Sequence, residues 1–344
     1  MSRWIDNNLA DRLYMVNRIS DLKNIDQESV EKDWWVTIVL KAMFQLSTAK
    51  YTYFKGGTSL SKGWNIINRF SEDIDIALYR DYFLEKKGIA YAQCENNNQI
   101  KMLRKASRDF IQGELRTELE KKLENWGLDV KVEAVTTQMT AEGEKPVDHD
   151  SDPTVLLVYY PSLFNSEHSY VSPVVKIEIS CLSMKEPFEI KHITSLISDE
   201  FKEDDGDTMA DIATISPSRT FLEKAFLLNE EYQRHVPRTL RMSRHLYDLE
   251  KLMDTDYAKA ALLNMPLYSE VVEHRKRFYH VGGVDYSLDM PDKITICPTG
   301  DILDRFRGDY ENMKSSFIYG TPLDFDTLIQ RIEELQLRFR SISY

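Results

Sequence analysis

The sequence has few cysteines and lacks a long apolar run. Its three cysteines, Cys94, Cys181 and Cys297, are far apart and odd in number, so they form neither a disulfide framework nor a zinc-binding spacing. No apolar run approaches the roughly 18 residues that a membrane-spanning helix needs. The first six residues contain no apolar segment typical of a signal peptide. These absences predict a protein of the reducing cytoplasm without a membrane partner.

The chain also has fewer positively charged than negatively charged residues. The chain has 44 Lys and Arg residues against 56 Asp and Glu residues, so its formal net charge is −12. Because non-specific nucleic-acid binding comes mainly from phosphate neutralisation, this balance argues against a general nucleic-acid coat, although it allows a local basic groove. The length of 344 residues, with 42% hydrophobic residues, is typical of a soluble protein with one large or two medium domains. Walker-type, GxGxxG and Ser/His/Asp signatures are absent.

A glycine pair followed by two alternating carboxylates is the most informative pattern present. The two runs are Gly56-Gly57-Thr58-Ser59 and Asp73-Ile74-Asp75-Ile76. If the second run is a strand, Asp73 and Asp75 lie on one face, where two like charges are costly unless a positive charge lies between them. Mg²⁺ or Mn²⁺ suits such oxygen ligands, and the glycines let backbone N–H groups approach a phosphate. The pattern predicts a metal-dependent nucleoside triphosphate site; the alternative is a pair of solvated carboxylates at a strand end.

A third carboxylate is expected on another strand. Two metal ions need about three carboxylates, and Glu178 lies in the apolar run 174–180, where an unpaired charge would be costly. We predict Glu178 as the third metal ligand. The alternative is a glutamate paired with Lys176 or Lys191.

The apolar pattern predicts an α/β part followed by a helical part. Short apolar or alternating runs predict strands at 51–54, 74–78, 129–135, 155–160 and 174–180. Helices are expected before residue 50, after the glycine pair at 58–68 and beyond residue 216, and polar runs predict loops at 137–153 and 199–208. The predicted fold class is α/β (α+β), with an α/β domain and N-terminal helices at 1–200 and a helical domain at 201–344.

Several motifs resemble those of a known family. The glycine turn, the Asp-Ile-Asp strand and the later Glu strand resemble the polymerase-β-type nucleotidyltransferase superfamily, although the segment 58–72 is longer than its commonest spacing. The resemblance to the AbiEii/AbiGii toxin family is more specific, and it is carried by five segments: Glu31–Trp35, Phe54–Lys62, Arg69–Asp75, Arg219–Ala225 and Arg241–Leu249.

The resemblance implies both a fold and an activity. The fold would be a polymerase-β-like core with a mixed sheet, followed by a mostly helical domain. The activity would be metal-dependent transfer of a nucleoside monophosphate from an NTP to an RNA (tRNA) or protein acceptor, with growth arrest and a cognate antitoxin in a type IV-like toxin–antitoxin system. The alternatives are a non-catalytic nucleotide-binding regulator and a phosphotransferase on the same scaffold.

The resemblance also assigns roles to residues. Gly57, Thr58 and Ser59 would bind nucleotide phosphates, with Gly56 and Lys62 in the same motif. Asp73 and Asp75 would bind the metal, and Lys224 would contact the phosphates. Asp248 matches a family aspartate, but the residue pair before Tyr247 is Arg244-His245 where the family often has Arg-Asp.

Three cations carry alternatives of their own. Lys224 interrupts an apolar helix, where a lysine either extends to solvent, the commoner case, or reaches a phosphate. Arg69 is expected to bind phosphate or to pair with Glu72. Arg244 belongs to a basic run that either contacts triphosphate or an RNA acceptor, or pairs with nearby carboxylates such as Asp248.

Overall fold

The computed structural model describes residues 2–140, 143–164, 172–316 and 318–342. The strands in these ranges are β1 Thr52–Lys55, β2 Ile74–Leu78, β3 Lys131–Ala134, β4 Thr137–Thr140, β5 Gly143–Pro146, β6 Thr154–Tyr159, β7 Val174–Ser180, β8 Phe188–Ile193 and β9 Ala210–Ile215. The α-helices are α1 Leu9–Lys23, α2 Gln27–Met43, α3 Gly56–Thr58, α4 Asp81–Glu85, α5 Asn97–Phe110, α6 Arg116–Asn125, α7 Leu196–Glu200, α8 Pro217–Tyr232, α9 Ser243–Leu252, α10 Asp256–Leu263, α11 Met265–His274, α12 Gly300–Ser316 and α13 Phe325–Arg340.

Seven strands form a mixed sheet in the order β3-β6-β7-β2-β1-β9-β8. β2 pairs antiparallel with β1 and parallel with β7, and β1 pairs parallel with β9. Ile74 and Ile76 of β2 are fully buried, whereas Asp75 between them is half-buried. This alternation follows from strand geometry, which sends successive side chains to opposite faces. The predicted α/β (α+β) class with a mixed sheet is confirmed.

Some expected elements differ in the structure. The bounds expected for β2 and β7 are those observed, but the loop expected at 137–153 contains the hairpin β4–β5, whose mostly exposed, polar residues give no apolar alternation. The loop expected at 199–208 overlaps the end of α7. The helix expected at 58–68 is shorter, because α3 continues only as a π-helical turn over Ser59–Gly63.

The chain divides into two compact units. One comprises residues 1–63 and 71–214, and the other comprises residues 64–70 and 215–344. In the second unit, Arg69 forms an antiparallel bridge with Ile318, and Tyr319 donates its backbone N–H to the Asn68 carbonyl over 2.8 Å. The boundary expected at residue 200 stays a prediction. No helix in the described ranges is both long and apolar enough to cross a membrane.

Candidate active site

Two predicted metal ligands lie side by side at the centre of the sheet. The register of β2 and β7 pairs Asp75 with Glu178, and the register of β1 and β2 places Lys55 beside Asp75 on the other side. The neighbouring isoleucines Ile177 and Ile179 are fully buried. Because their side chains fix the core face of β7, Glu178 points to the opposite face.

Lys176 lies among the predicted ligands. Its Nζ contacts Glu178 Oε1 and lies 4.0 Å from Asp73 Oδ2. Burial opposes the charge of Lys176, but the carboxylates of Glu178, Asp73 and Asp75 outweigh it and raise the pKa of the ammonium group. The alternative in which Glu178 pairs with Lys176 is therefore present in this structure.

Gly56 allows the backbone to approach Asp75 closely. Its φ is +78°, and a Cβ at this position would lie 1.9 Å from Asp75 Oδ2. Both the positive φ and the contact require glycine. The first residue of the glycine pair thus shapes the surroundings of the Asp75 carboxylate.

The hydroxyl groups after the glycine pair form internal hydrogen bonds. Thr58 and Ser59 are fully buried. Thr58 Oγ1 donates to the Asp73 carbonyl and lies 2.8 Å from Ser71 Oγ, and Ser59 Oγ donates to the Gly56 carbonyl over 2.8 Å. In this structure these side chains hold the turn and the start of β2, so phosphate contact through them stays a prediction, as it does for the buried Gly57.

Lys62 is also held within the fold. Its Nζ lies 2.6 Å from Asp33 Oδ1, and Asp33 Oδ2 accepts the backbone N–H of Leu196. The two residues before Asp33 also form contacts. Lys32 pairs with Glu72, and Glu31 accepts the backbone N–H of Leu163. The sequence identified the segment Glu31–Trp35 as a motif. It did not show that its charged residues fix α2 to neighbouring segments.

A second group of predicted residues surrounds Asp248 in the second unit. Asp248 is fully buried and receives two hydrogen bonds from Arg69, at 2.7 and 2.8 Å, and an ion pair from Lys224 at 2.8 Å. Burial would raise the pKa of Asp248, but Arg69 and Lys224 hold it well below its usual range. Arg69 therefore pairs with Asp248, whereas the expected alternative partner, Glu72, contacts Lys32.

This group carries more positive than negative charge. Burial lowers the pKa of Lys224, and repulsion from Arg69 and Arg244 lowers it further. The carboxylate of Asp248 raises this pKa but only partly offsets the other effects. His245, which belongs to the same basic run of the sequence as Arg244, has its pKa lowered by burial and then by repulsion from Lys224 and Arg244. Arg244 Nε and His245 Nδ1 are buried without a hydrogen-bond partner.

The chemistry of the first group suits a hard divalent cation. Asp73, Asp75 and Glu178 offer carboxylate oxygens, the donors that Mg²⁺ and Mn²⁺ prefer, and the ammonium group of Lys176 shows that a cation is accommodated beside two of them. Across the described ranges, no three carboxylate, histidine or cysteine side chains are grouped closely enough to hold a metal as they stand.

The mixed sheet, with a glycine turn between β1 and β2 and carboxylates on β2 and β7, defines a nucleotidyltransferase-type protein. Residues 38–331 match the family described as nucleotidyl transferase AbiEii toxin, type IV TA system, and the chain belongs to this family. The predicted resemblance and the nucleotidyltransferase class are thereby confirmed.

One solved structure extends the comparison of folds. The chain is similar to MenT4, a nucleotidyltransferase toxin from Mycobacterium tuberculosis H37Rv, with a TM-score of 0.51 and 14% sequence identity over 96% of this chain and 90% of that chain. At this identity the likeness concerns the fold alone. A comparison with curated proteins gives no match.

Proposed function

We propose that this nucleotidyltransferase toxin transfers a nucleoside monophosphate from an NTP to a hydroxyl group of an RNA acceptor such as tRNA, or of a protein, and releases pyrophosphate. The observation that carries the proposal is the pairing of Asp75 with Glu178 beside Gly56. A site for binding alone does not require several carboxylates beside a glycine turn.

Asp73, Asp75 and Glu178 would hold Mg²⁺ or Mn²⁺. When bound, such a cation lowers the pKa of a hydroxyl nucleophile and neutralises charge on a triphosphate. The turn at Gly56 and Gly57 would present backbone N–H groups to the phosphates, and Thr58 fixes the start of β2 through its bond to the Asp73 carbonyl. These groups act by positioning and electrostatics, the main contributions in phosphoryl chemistry.

The residues around Asp248 form the second part of the proposal. Arg69, Lys224 and Arg244 supply three cationic side chains, and Asp248 balances only one charge. Such an excess suits a triphosphate or pyrophosphate anion. Asp248 would hold Arg69 and Lys224 in position rather than contact the nucleotide, because it is fully buried.

The test is transfer of radiolabel. The full chain is incubated with Mg²⁺, total RNA or total cell protein, and each NTP labelled at the α-phosphate or, in parallel reactions, at the γ-phosphate. Label in RNA is expected from wild type and from E189Q, which removes an exposed carboxylate on β8, and not from the D73N/D75N double variant. Label transferred only from the γ-phosphate would identify a phosphotransferase. Binding without transfer to RNA or protein would identify a regulator, and transfer by the double variant would disprove the mechanism.

The family also implies partners beyond the nucleotide. We infer that a cognate antitoxin counteracts the toxin and that both act in the cytoplasm. The observation in support is the family description, which places these toxins in type IV systems.

A further inference from the structure

Lys176 lies among the carboxylates that the proposed function assigns to a divalent cation. It precedes Glu178 by two residues on β7, so both side chains leave the same face of the sheet. Its Nζ contacts Glu178 Oε1 and lies 4.0 Å from Asp73 Oδ2. The ammonium group thus supplies positive charge where these carboxylates need it.

This position lowers the electrostatic cost of placing these carboxylates close together. Asp73, Asp75 and Glu178 all act electrostatically on Lys176. Like charges side by side are costly, and a single ammonium group offsets part of that cost.

The same contact is easily broken. The side chains of Lys176 and Glu178 are 39% and 30% exposed, and ion pairs that reach solvent add little to stability. A lysine also has a flexible four-carbon stem. The ammonium group can therefore move into water while the backbone of β7 stays paired.

We propose that Lys176 is an internal competitor for the divalent cation. It pairs with Glu178 and Asp73 when no metal is bound, and it leaves Glu178 when a divalent cation binds there. The inference rests on the proposed function, which assigns these carboxylates to the metal. Lys176 would not contact the metal or the nucleotide, but through its contact with Glu178 it would lower the affinity of the site for the metal.

Titration of the full chain with Mn²⁺ alone, followed by electron paramagnetic resonance of the free ion, tests the proposal. K176M is expected to bind Mn²⁺ about tenfold more tightly than wild type, equivalent to about 1.4 kcal/mol, because a competing positive charge is removed. K176R keeps that charge and is expected to bind as wild type does. The matched control is K131M, since Lys131 contacts Glu133 two residues further along β3 at 2.6 Å; its Mn²⁺ affinity is expected to be unchanged.

The outcomes separate this inference from the proposed function. If wild type binds Mn²⁺ and D73N/D75N does not, but K176M binds no more tightly than wild type, the role of Lys176 is wrong and the metal site stands. If neither wild type nor K176M binds Mn²⁺, both proposals are wrong. Thermal unfolding guards against misfolding: Mn²⁺ should raise the Tm of K176M more than that of wild type, and an equal or smaller rise contradicts the inference.

Discussion

Gly56 is the residue on which the placement of Asp75 depends most directly. The space that a side chain would occupy is already filled by the Asp75 carboxylate. This close approach also explains why the glycine pair and the aspartate pair occur together in the sequence, since the backbone turn and the carboxylate share one small volume.

The G56A variant is expected to lose at least about 100-fold in nucleotide transfer, because displacing a reacting group by about 1 Å costs roughly that much. Gly88 provides a matched control. Its φ is +65°, but nothing lies within 4 Å of a Cβ built there, so G88A introduces similar backbone strain without the contact. Rates of transfer and thermal unfolding of both variants give the comparison, and an equal loss in the two would contradict the role assigned to the contact.

Residue types and spacing were sufficient to predict the strands that carry Asp75 and Glu178, because a strand has a fixed period of two. The metal-binding role of Asp73, Asp75 and Glu178 stays a prediction. Residue types and spacing were insufficient for the partners of the lysines and arginines. Lys62 meets Asp33 across 29 positions, and Arg69 meets Asp248 across 179. Such contacts depend on the path of the whole chain, which no local pattern encodes.

At the scale of elements, α2 is fixed by charged side chains as well as by its apolar face. Asp33 contacts both Lys62, within the π-helical turn Ser59–Gly63, and the backbone of Leu196 at the start of α7. The side chains of Lys62 and Asp33 are only 9% and 13% exposed. Removing one partner would leave the other charge nearly buried and unpaired.

A double-mutant cycle tests this pair. K62M and D33N are each expected to lower the free energy of unfolding by about 3–5 kcal/mol, the usual cost of breaking a buried pair, and the double variant should lose clearly less than the sum. Urea unfolding of the four proteins supplies the values. Additive losses, together with weaker NTP binding by K62M alone, would instead support the predicted phosphate contact of Lys62.

The Asp248 group joins α8, α9 and the segment 64–70 within the second unit. D248N is expected to lower the free energy of unfolding by about 3–5 kcal/mol, since Arg69 and Lys224 would lose their buried counter-ion. Because the pKa of Asp248 is depressed in the folded state, its stabilising contribution is present above about pH 4 and is lost as the pH falls further. Unfolding of D248N should therefore depend less on pH in the acid range than that of wild type.

D254N is the matched control for D248N. Asp254 also contacts two arginines, Arg331 and Arg338, but its side chain is 58% exposed. D254N should therefore lower the free energy of unfolding by at most about 1 kcal/mol. Added pyrophosphate should raise the Tm of D248N more than that of D254N, because an anion can replace the missing charge. Equal responses would contradict an anion site at this group.

Elements with a strong apolar pattern were the ones that the sequence predicted well. β2 and β7 are central in the sheet and buried on the core face, so their alternation is clear. β8 was not predicted, and five of its six residues are partly or fully exposed. An edge strand with little burial leaves almost no apolar pattern to read.

At the scale of the whole molecule, the family predicts a toxic protein. Expression of wild type in bacterial cells is expected to arrest growth, and expression of D73N/D75N at the same protein level is not, because the proposed transfer needs both carboxylates. E189Q should arrest growth as wild type does. Growth curves with immunoblots for protein level give the result, and arrest by the double variant would show that toxicity does not depend on transfer.

The second unit is assembled from two stretches of chain that the ribosome makes far apart in time. Arg69 is synthesised early, whereas its carboxylate partner follows 179 residues later and its bridge partner Ile318 later still. A chain terminated before residue 215 contains the segment 64–70 but none of the remainder of that unit. The second unit can therefore form only after its distant residues have been synthesised, and a product that ends before residue 215 cannot assemble the buried group around Asp248.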